Sequence, residues 1–420
     1  MIRGWQCSVC AAVVDIGGPL IFRCPNSTPT DPFHALEMVI EGPAEPSSDQ
    51  ANNPFLRYQQ RYAWNAFGAA HGMSEQARHQ LVLDTDAKVA SVAGTGFHVT
   101  PFQRAAALSA ALGFAPAGGI WVKDETRQVG GSHKARHLYS TLLALLVAEV
   151  CGLRPSARAA LAIASCGNAA LAAATLAAAE RWPIQVFVPP QANPAVMARL
   201  AELGATINVC PRRRDDPPGD PCVLRYREAV AAGAIPFSVQ GPENVWCLDG
   251  ARSIGWEMAP AHLQRVFIQV GAGAFAHSVI DGLAEVGQSP RLHAVQTGGC
   301  APLRRAYERA IQGPGGLAGS AKRWAECMTP WADEPFSAAD GILDDETYDW
   351  LAVSRGIAAT EGSAVVAEEA DVLRAYELVH RLTDVDASHT GTAGLAGLLA
   401  IRDEIGENER VGIVLSGIRR

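Results

Sequence analysis

The sequence predicts an α/β fold of two lobes, built on parallel-rich sheets covered by helices. Beyond residue 53, short apolar runs alternate with amphipathic or alanine-rich segments, as in parallel sheets with helices on both faces. Three of the runs lead through a turn of small or polar residues into a helix candidate. With 420 residues, the chain exceeds one small core and suits two domains and a short extension. Its 48% hydrophobic and 19% charged residues are ordinary for a soluble enzyme.

Residues 1–41 read as a short cysteine-containing appendage. In Cys7-Ser8-Val9-Cys10 two thiolates can grip one metal from a tight turn, and Cys24 offers a third ligand. Ser27 stands where a ribbon would place its fourth thiol, and His34 is a distant substitute. The expectation is a degenerate zinc-ribbon-like extension with no metal. Residues 42–53, rich in Pro, Ser, Asp and Asn, read as a linker.

The large domain is expected over residues 42–157 and 247–420, interrupted by a smaller α/β domain over 158–246. The smaller one takes the strands Ala160-Leu161-Ala162-Ile163-Ala164, Gln185-Val186-Phe187-Val188 and Thr206-Ile207-Asn208-Val209. Its proline-rich stretch, 211–221, belongs on a surface loop. The large domain collects Val266-Phe267-Ile268-Gln269-Val270, the run 291–295 and the run 411–415, while the Gly- and Pro-rich segment 313–319 reads as a mobile loop or lid. There are no internal repeats and no coiled-coil heptads.

A net charge of -8 provides no basic surface for nucleic acid, and Arg212-Arg213-Arg214 runs directly into Asp215-Asp216, as a solvated loop would. The apolar stretch 157–179 is alanine-driven and carries Asn168 in its middle, which argues against a membrane span. Secretory-signal features are missing from the amino terminus, so the expected compartment is the cytoplasm. The 10 cysteines are scattered and read as reduced thiols.

Chemistry concentrates in the three turns. Lys134, in Gly130-Gly131-Ser132-His133-Lys134-Ala135-Arg136, follows the strand Ile120-Trp121-Val122 and its polar exit Lys123-Asp124-Glu125. Leu138, Leu142, Leu145 and Leu146 recur at helical spacing, which puts Lys134 in the first turn of a helix. The positive end of the backbone dipole there opposes an ammonium and favours the free amine that attacks an aldehyde. The same position also suits a solvated surface lysine. Ser165-Cys166-Gly167-Asn168 leads into the helix candidate 169–180 and makes an anion cradle; taken alone, Asn168 reads as a helix N-cap. Gly271-Ala272-Gly273-Ala274 lets backbone N–H groups close on a phosphate.

These motifs resemble the pyridoxal-phosphate enzymes of the tryptophan-synthase-beta structural class, fold type II, in the threonine synthase and threonine dehydratase branch. Asn53-Pro54-Phe55-Leu56-Arg57-Tyr58 is similar to the stretch that opens threonine synthases. Gly94-Thr95-Gly96-Phe97-His98-Val99-Thr100-Pro101-Phe102 is similar to their Gly-Glu-Gly-x-Thr-Pro-Leu segment. The lysine, asparagine and glycine loops follow in family order, and Val414-Leu415-Ser416-Gly417 matches the last motif. The resemblance implies pyridoxal 5'-phosphate held as a Schiff base on Lys134, which then shuttles the Cα proton. It gives the phosphate to Gly271, Ala272, Gly273 and Ala274, the pyridoxal hydroxyl to Asn168, and the substrate carboxylate to Ser165, Cys166 and Gly167. Ser416 would face the pyridine nitrogen, where a hydroxyl moderates the electron sink and favours β-elimination over transamination. A small amino acid is the implied substrate, and relatives suggest a homodimer.

The chain departs from threonine synthases in carrying Ala135-Arg136 after the lysine and His133 before it, and in the two alanines of its phosphate loop. The expected activity is therefore that of a lyase or synthase, dehydratase-like or synthase-like. A phosphorylated substrate would need further cations, for which Arg136 is one candidate. An inert cofactor-binding regulator is the alternative, with Cys7 and Cys10 marking an interaction module. The reading of Gly271-x-Gly273-x-x-Ala276 as a dinucleotide fingerprint needs an acidic residue after Val295, where Gln296 stands. Cys166 reads as a packing residue, His133 as a packing residue or polar bridge beside the cofactor, and His389 either as lining the site or, more simply, as part of a capped helix start.

Overall fold

The computed structural model describes residues 1–28, 30–42, 51–154 and 157–419. Most of the expected linker lies outside them. The described chain forms two compact units, one of Met1–Val99, Gln128–Gly130 and Lys134–Ala251, the other of Thr100–Arg127, Gly131–His133 and Arg252–Arg420. These units divide the chain differently from the sequence expectation. The appendage and the helix Lys134–Val150 both join the unit that holds the smaller sheet.

In the first unit, a parallel sheet runs in the order Thr206–Val209, Ile184–Val188, Leu161–Ala164, Ile235–Pro236. Three of these strands are the expected ones, and the two-residue fourth carries too little pattern to be read. The alanine-rich helix Asn168–Ala179 follows the Leu161–Ala164 strand and packs against Lys134–Val150. Leu138, Leu142 and Leu145 of the latter helix are fully buried, each contributing about 1.5–3 kcal/mol by removal from water. Asp249, itself buried, accepts from the Ala63 N–H and from Ser140 Oγ at 2.6 Å, supplying the cap that Tyr62 cannot give the helix Ala63–Ala70.

The second unit is built on a six-stranded sheet in the order Ser363–Ala367, Arg291–Thr297, Arg265–Gln269, Arg410–Leu415, Gly119–Asp124, Phe102–Arg104. The Phe102–Arg104 edge is antiparallel and the remaining pairs are parallel. Ile120, Val122, Phe267, Val295, Ile413 and Leu415 belong to one buried cluster closed by Leu395 and Leu398.

Two local readings change. The supposed polar exit Lys123-Asp124-Glu125 is buried: the strand runs on to Asp124, and Lys123 Nζ meets Glu257 and donates to the Thr100 carbonyl at 2.7 Å. The 313–319 segment is no open loop, because Gly316–Gly319 forms a helical turn and Arg323 donates back to the Gly316 carbonyl at 3.4 Å. Arg212, Arg213 and Arg214 are exposed, as a solvated loop requires. No helix among the described residues is long and apolar enough to cross a membrane.

Candidate active site

The turn before Lys134 depends on two consecutive left-handed glycines, Gly130 at φ 69° and Gly131 at φ 74°. A side chain at Gly131 would meet Ile418 at 2.7 Å, while Gly130 lies against the Asn168–Ala179 helix near Ala172. Lys134 then opens its helix and is half-buried. That is the placement the spacing of its leucines predicts.

The Ser165–Asn168 turn belongs to the same unit as Lys134. Ser165 Oγ accepts the Gly167 N–H at 3.4 Å, and Cys166 is exposed. The N-cap here is Gly167, which has no side chain to cap with, so Asn168 is the first helical residue and the N-cap reading of it falls. A helix start opened by glycine beside small polar residues has room for an anion.

In the second unit, Gly271, Ala272, Gly273 and Ala274 link the Arg265–Gln269 strand to the helix Ala274–Glu285. Gly273 caps this helix at φ 101° and again offers no side chain, while Ala274, Phe275 and Ala276 are buried. Buried first-turn N–H groups of that kind suit an anion that supplies the missing acceptor, and the loop fits a phosphate. A Cβ on Gly271 would fall 2.1 Å from Asp344 Oδ2, and one on Gly273 would fall 3.0 Å from Thr347 and from Asp349. The Asp349 N–H donates to the Ala272 carbonyl at 2.9 Å, so the loop is clasped by the chain around residues 344–349.

Ser416 reaches the same neighbourhood. Its Oγ accepts the His133 backbone N–H at 3.0 Å and lies 2.5 Å from His133 Nδ1, while the His133 ring stacks on Phe275 with centroids 3.9 Å apart. His133 therefore joins the last motif to the helix Ala274–Glu285, by hydrogen bonding to the one and stacking on the other. His389 follows its simpler reading: Ser388 caps the helix by accepting the Gly391 N–H, and the His389 ring stacks on Tyr376.

Sequence reasoning missed Asp344 and Asp349, which lie far from the loop along the chain, and also His277. His277 Nε2 is 3.2 Å from Asp281 and Nδ1 is 3.4 Å from Asp349. Burial works against its protonation, but the two carboxylates outweigh that and raise it well above the usual histidine range. The helical i,i+4 spacing of His277 and Asp281 was the one signal available. Gln296 serves no ribose: its Oε1 accepts the Leu303 N–H at 2.8 Å and its Nε2 donates to the Val270 carbonyl at 3.3 Å.

Comparison with known proteins bears on the family and the fold. The sequence model of the family described as "Pyridoxal-phosphate dependent enzyme" matches residues 94–417. No curated protein matches the chain. Among solved structures, a pyridoxal 5'-phosphate-dependent aspartate racemase is similar at TM-score 0.62 and 18% identity, over 81% of this chain and 96% of that one. The processed form of threonine deaminase isoform 2 from Solanum lycopersicum is similar at 0.60 and 17%, over 91% and 96%. Diaminopropionate ammonia lyase from Escherichia coli is similar at 0.60 and 16%, over 82% and 89%. At these identities the structures share the fold, and the family match, spanning most of the sequence from its glycine-rich segment to Ser416-Gly417, places this chain among the pyridoxal-phosphate dependent enzymes.

Proposed function

We propose that the protein is a lyase or synthase that carries out β-elimination, or elimination and replacement, on a small amino acid, of the threonine dehydratase or threonine synthase kind. The observation that carries this reading is the small-residue Ser165–Asn168 turn, where glycine opens the helix, in the same unit as a lysine that opens another. Pyridoxal phosphate, when bound, supplies an electrophilic aldehyde and a sink for the electrons left at Cα.

Lys134 would hold that aldehyde and, once freed by the substrate amine, take the Cα proton on Nζ. The N–H groups around Gly271, Ala272, Gly273 and Ala274 would anchor the phosphate, and Asn168 would donate to the ring hydroxyl. Ser165, Cys166 and Gly167 would orient the substrate through its carboxylate, fixing the Cα–H bond toward Lys134. Ser416, a neutral hydroxyl, would leave the ring nitrogen unprotonated and so restrain the sink in favour of elimination. The structural resemblance to a threonine deaminase and a diaminopropionate ammonia lyase is in keeping with elimination chemistry.

The test is to give the cofactor-loaded protein serine, threonine and phosphohomoserine in turn, following keto acid, ammonia and phosphate. Keto acid and ammonia from serine or threonine identify a dehydratase, and phosphate release from phosphohomoserine identifies a synthase. Silence with all three removes the reading and favours a binding protein without turnover.

A further inference from the structure

The appendage forms a three-stranded antiparallel sheet in the order Val13–Asp15, Ile2–Cys7, Leu36–Ile40. Cys7 ends the central strand. Cys10 follows across a tight turn in which the Ala11 N–H returns to the Cys7 carbonyl at 2.9 Å and Ala11 takes φ 60°. Cys24 and His34 arrive from the long connection to the third strand. The sequence left the fourth ligand position to Ser27, but the fold brings His34 to it.

The three Sγ atoms and the His34 ring nitrogen lie within 4.8 Å of one another. His34 Nδ1 is 3.4 Å from Cys7 Sγ, and Cys10 Sγ is 3.6 Å from Cys24 Sγ. A tetrahedron with Zn–S and Zn–N bonds of the usual lengths has edges of about 3.8 Å between sulfurs and about 3.6 Å between sulfur and nitrogen. Two of the cluster's edges are already that short, and the others are no longer than 4.8 Å. Three thiols and an imidazole gain little from one another unaided, since S–H is a weak donor. The surroundings also suit a metal. His34 Nε2 is 3.3 Å from Asp31 Oδ2, a carboxylate contact that places the ring proton on Nε2 and turns the Nδ1 lone pair toward the sulfurs. Asn26 Nδ2 donates to Cys10 Sγ at 3.4 Å, which offsets the excess negative charge of three thiolates around a divalent ion.

We propose that Cys7, Cys10, Cys24 and His34 bind one zinc(II) ion as a structural centre that fixes the loop before Cys24. Because the protein supplies all four ligands, no position is left for substrate or water, so the centre is structural. Its mechanical consequence is local to the first unit. The Ile21 carbonyl accepts from Trp246 Nε1 at 2.6 Å, and the Phe22 carbonyl accepts from the Val245 N–H at 2.9 Å. Trp246 packs edge-on against Trp5 at 4.6 Å, and the adjacent Cys247 carbonyl lies 2.7 Å from His137 Nδ1 on the helix that Lys134 opens. The metal thus anchors one end of a chain of contacts that supports that helix.

The test uses the full chain, purified under reducing conditions and titrated with zinc(II) or cobalt(II) alone. The expected result is one metal per chain, with thiolate-to-cobalt charge transfer and the intense d–d bands of a tetrahedral site. Asp31→Asn should still bind, but about 10–100-fold more weakly, as loss of such a supporting carboxylate does elsewhere. Cys24→Ser should lose the tetrahedral spectrum. Should that variant fail to fold, His34→Cys keeps four ligands and should strengthen the charge-transfer band. Fully reduced protein that takes up no metal, a weak octahedral cobalt spectrum, a His34→Cys spectrum identical to the parent, or a Cys10–Cys24 disulfide that excludes metal would each overturn the proposal.

Discussion

Ser416 Oγ receives the backbone N–H of His133 at 3.0 Å and sits 2.5 Å from the Nδ1 of the same residue. The hydroxyl accepts from the backbone N–H, and the sense of its contact with Nδ1 follows the imidazole tautomer. The residue immediately before Lys134 is thereby fixed at two points.

Replacing Ser416 with alanine removes both contacts to His133. Ser416→Ala should lower stability by about 1–3 kcal/mol, measured by urea unfolding. It should also shift the visible absorption of the cofactor-loaded protein, because the same hydroxyl is proposed to face the ring nitrogen. A variant as stable as the parent and spectrally identical to it would remove Ser416 from the site.

The turn at Gly271 makes a sharper demand. At Gly271 a methyl group would be forced to 2.1 Å from Asp344 Oδ2 and 3.0 Å from the backbone of Ile342. Gly271→Ala should destabilise the protein by about 1–3 kcal/mol through overpacking and weaken cofactor retention at least tenfold, read by equilibrium dialysis. Ala272→Gly, at a half-buried position in the same loop, serves as the control that leaves the clasp intact.

Much of this site was legible. Lys134 at a helix start followed from the leucine spacing behind it, and the small-residue turns after two strands lie where the sequence puts them, each at a helix start opened by glycine. Whatever depended on distant partners stayed hidden. Lys123 looked like the polar end of a strand because Glu257, which neutralises it, lies 134 residues further along the chain. Asn168 looked like a cap because N-cap statistics favour asparagine, yet glycine takes that place. His34 seemed too far from Cys24 to join the cysteines, since sequence spacing does not show how the intervening loop returns to the first strand.

The buried pair formed by Lys123 and Glu257 has no solvent to fall back on, with side chains 0% and 1% exposed. Glu257→Gln should cost about 3–5 kcal/mol by stranding the ammonium. The double replacement Lys123→Met with Glu257→Leu should recover most of that loss, which a comparison of denaturation midpoints will show.

Stability should fall on both sides of neutrality. Burial, aided by Arg265 and Arg291, pushes His293 down to about 4 from an ordinary 6.5. A histidine with a depressed folded value stabilises above its unfolded value and loses that contribution as pH drops from about 6.5 to about 4. The loss amounts to about 3 kcal/mol in all. His277 has the opposite sign: its raised value contributes stability at low pH that disappears as pH rises through it. Thermal melts should show an acid limb below about pH 6.5 that His293→Asn flattens and, above it, an alkaline limb that His277→Asn flattens.

The central claim is that Lys134 Nζ carries the cofactor, and reduction of the loaded protein with borohydride followed by peptide mapping tests it most directly. The account predicts a pyridoxyl label on the peptide containing Lys134, and loss of the visible absorbance in Lys134→Ala. A label on any other lysine, or an absorbance unchanged in Lys134→Ala, would contradict it.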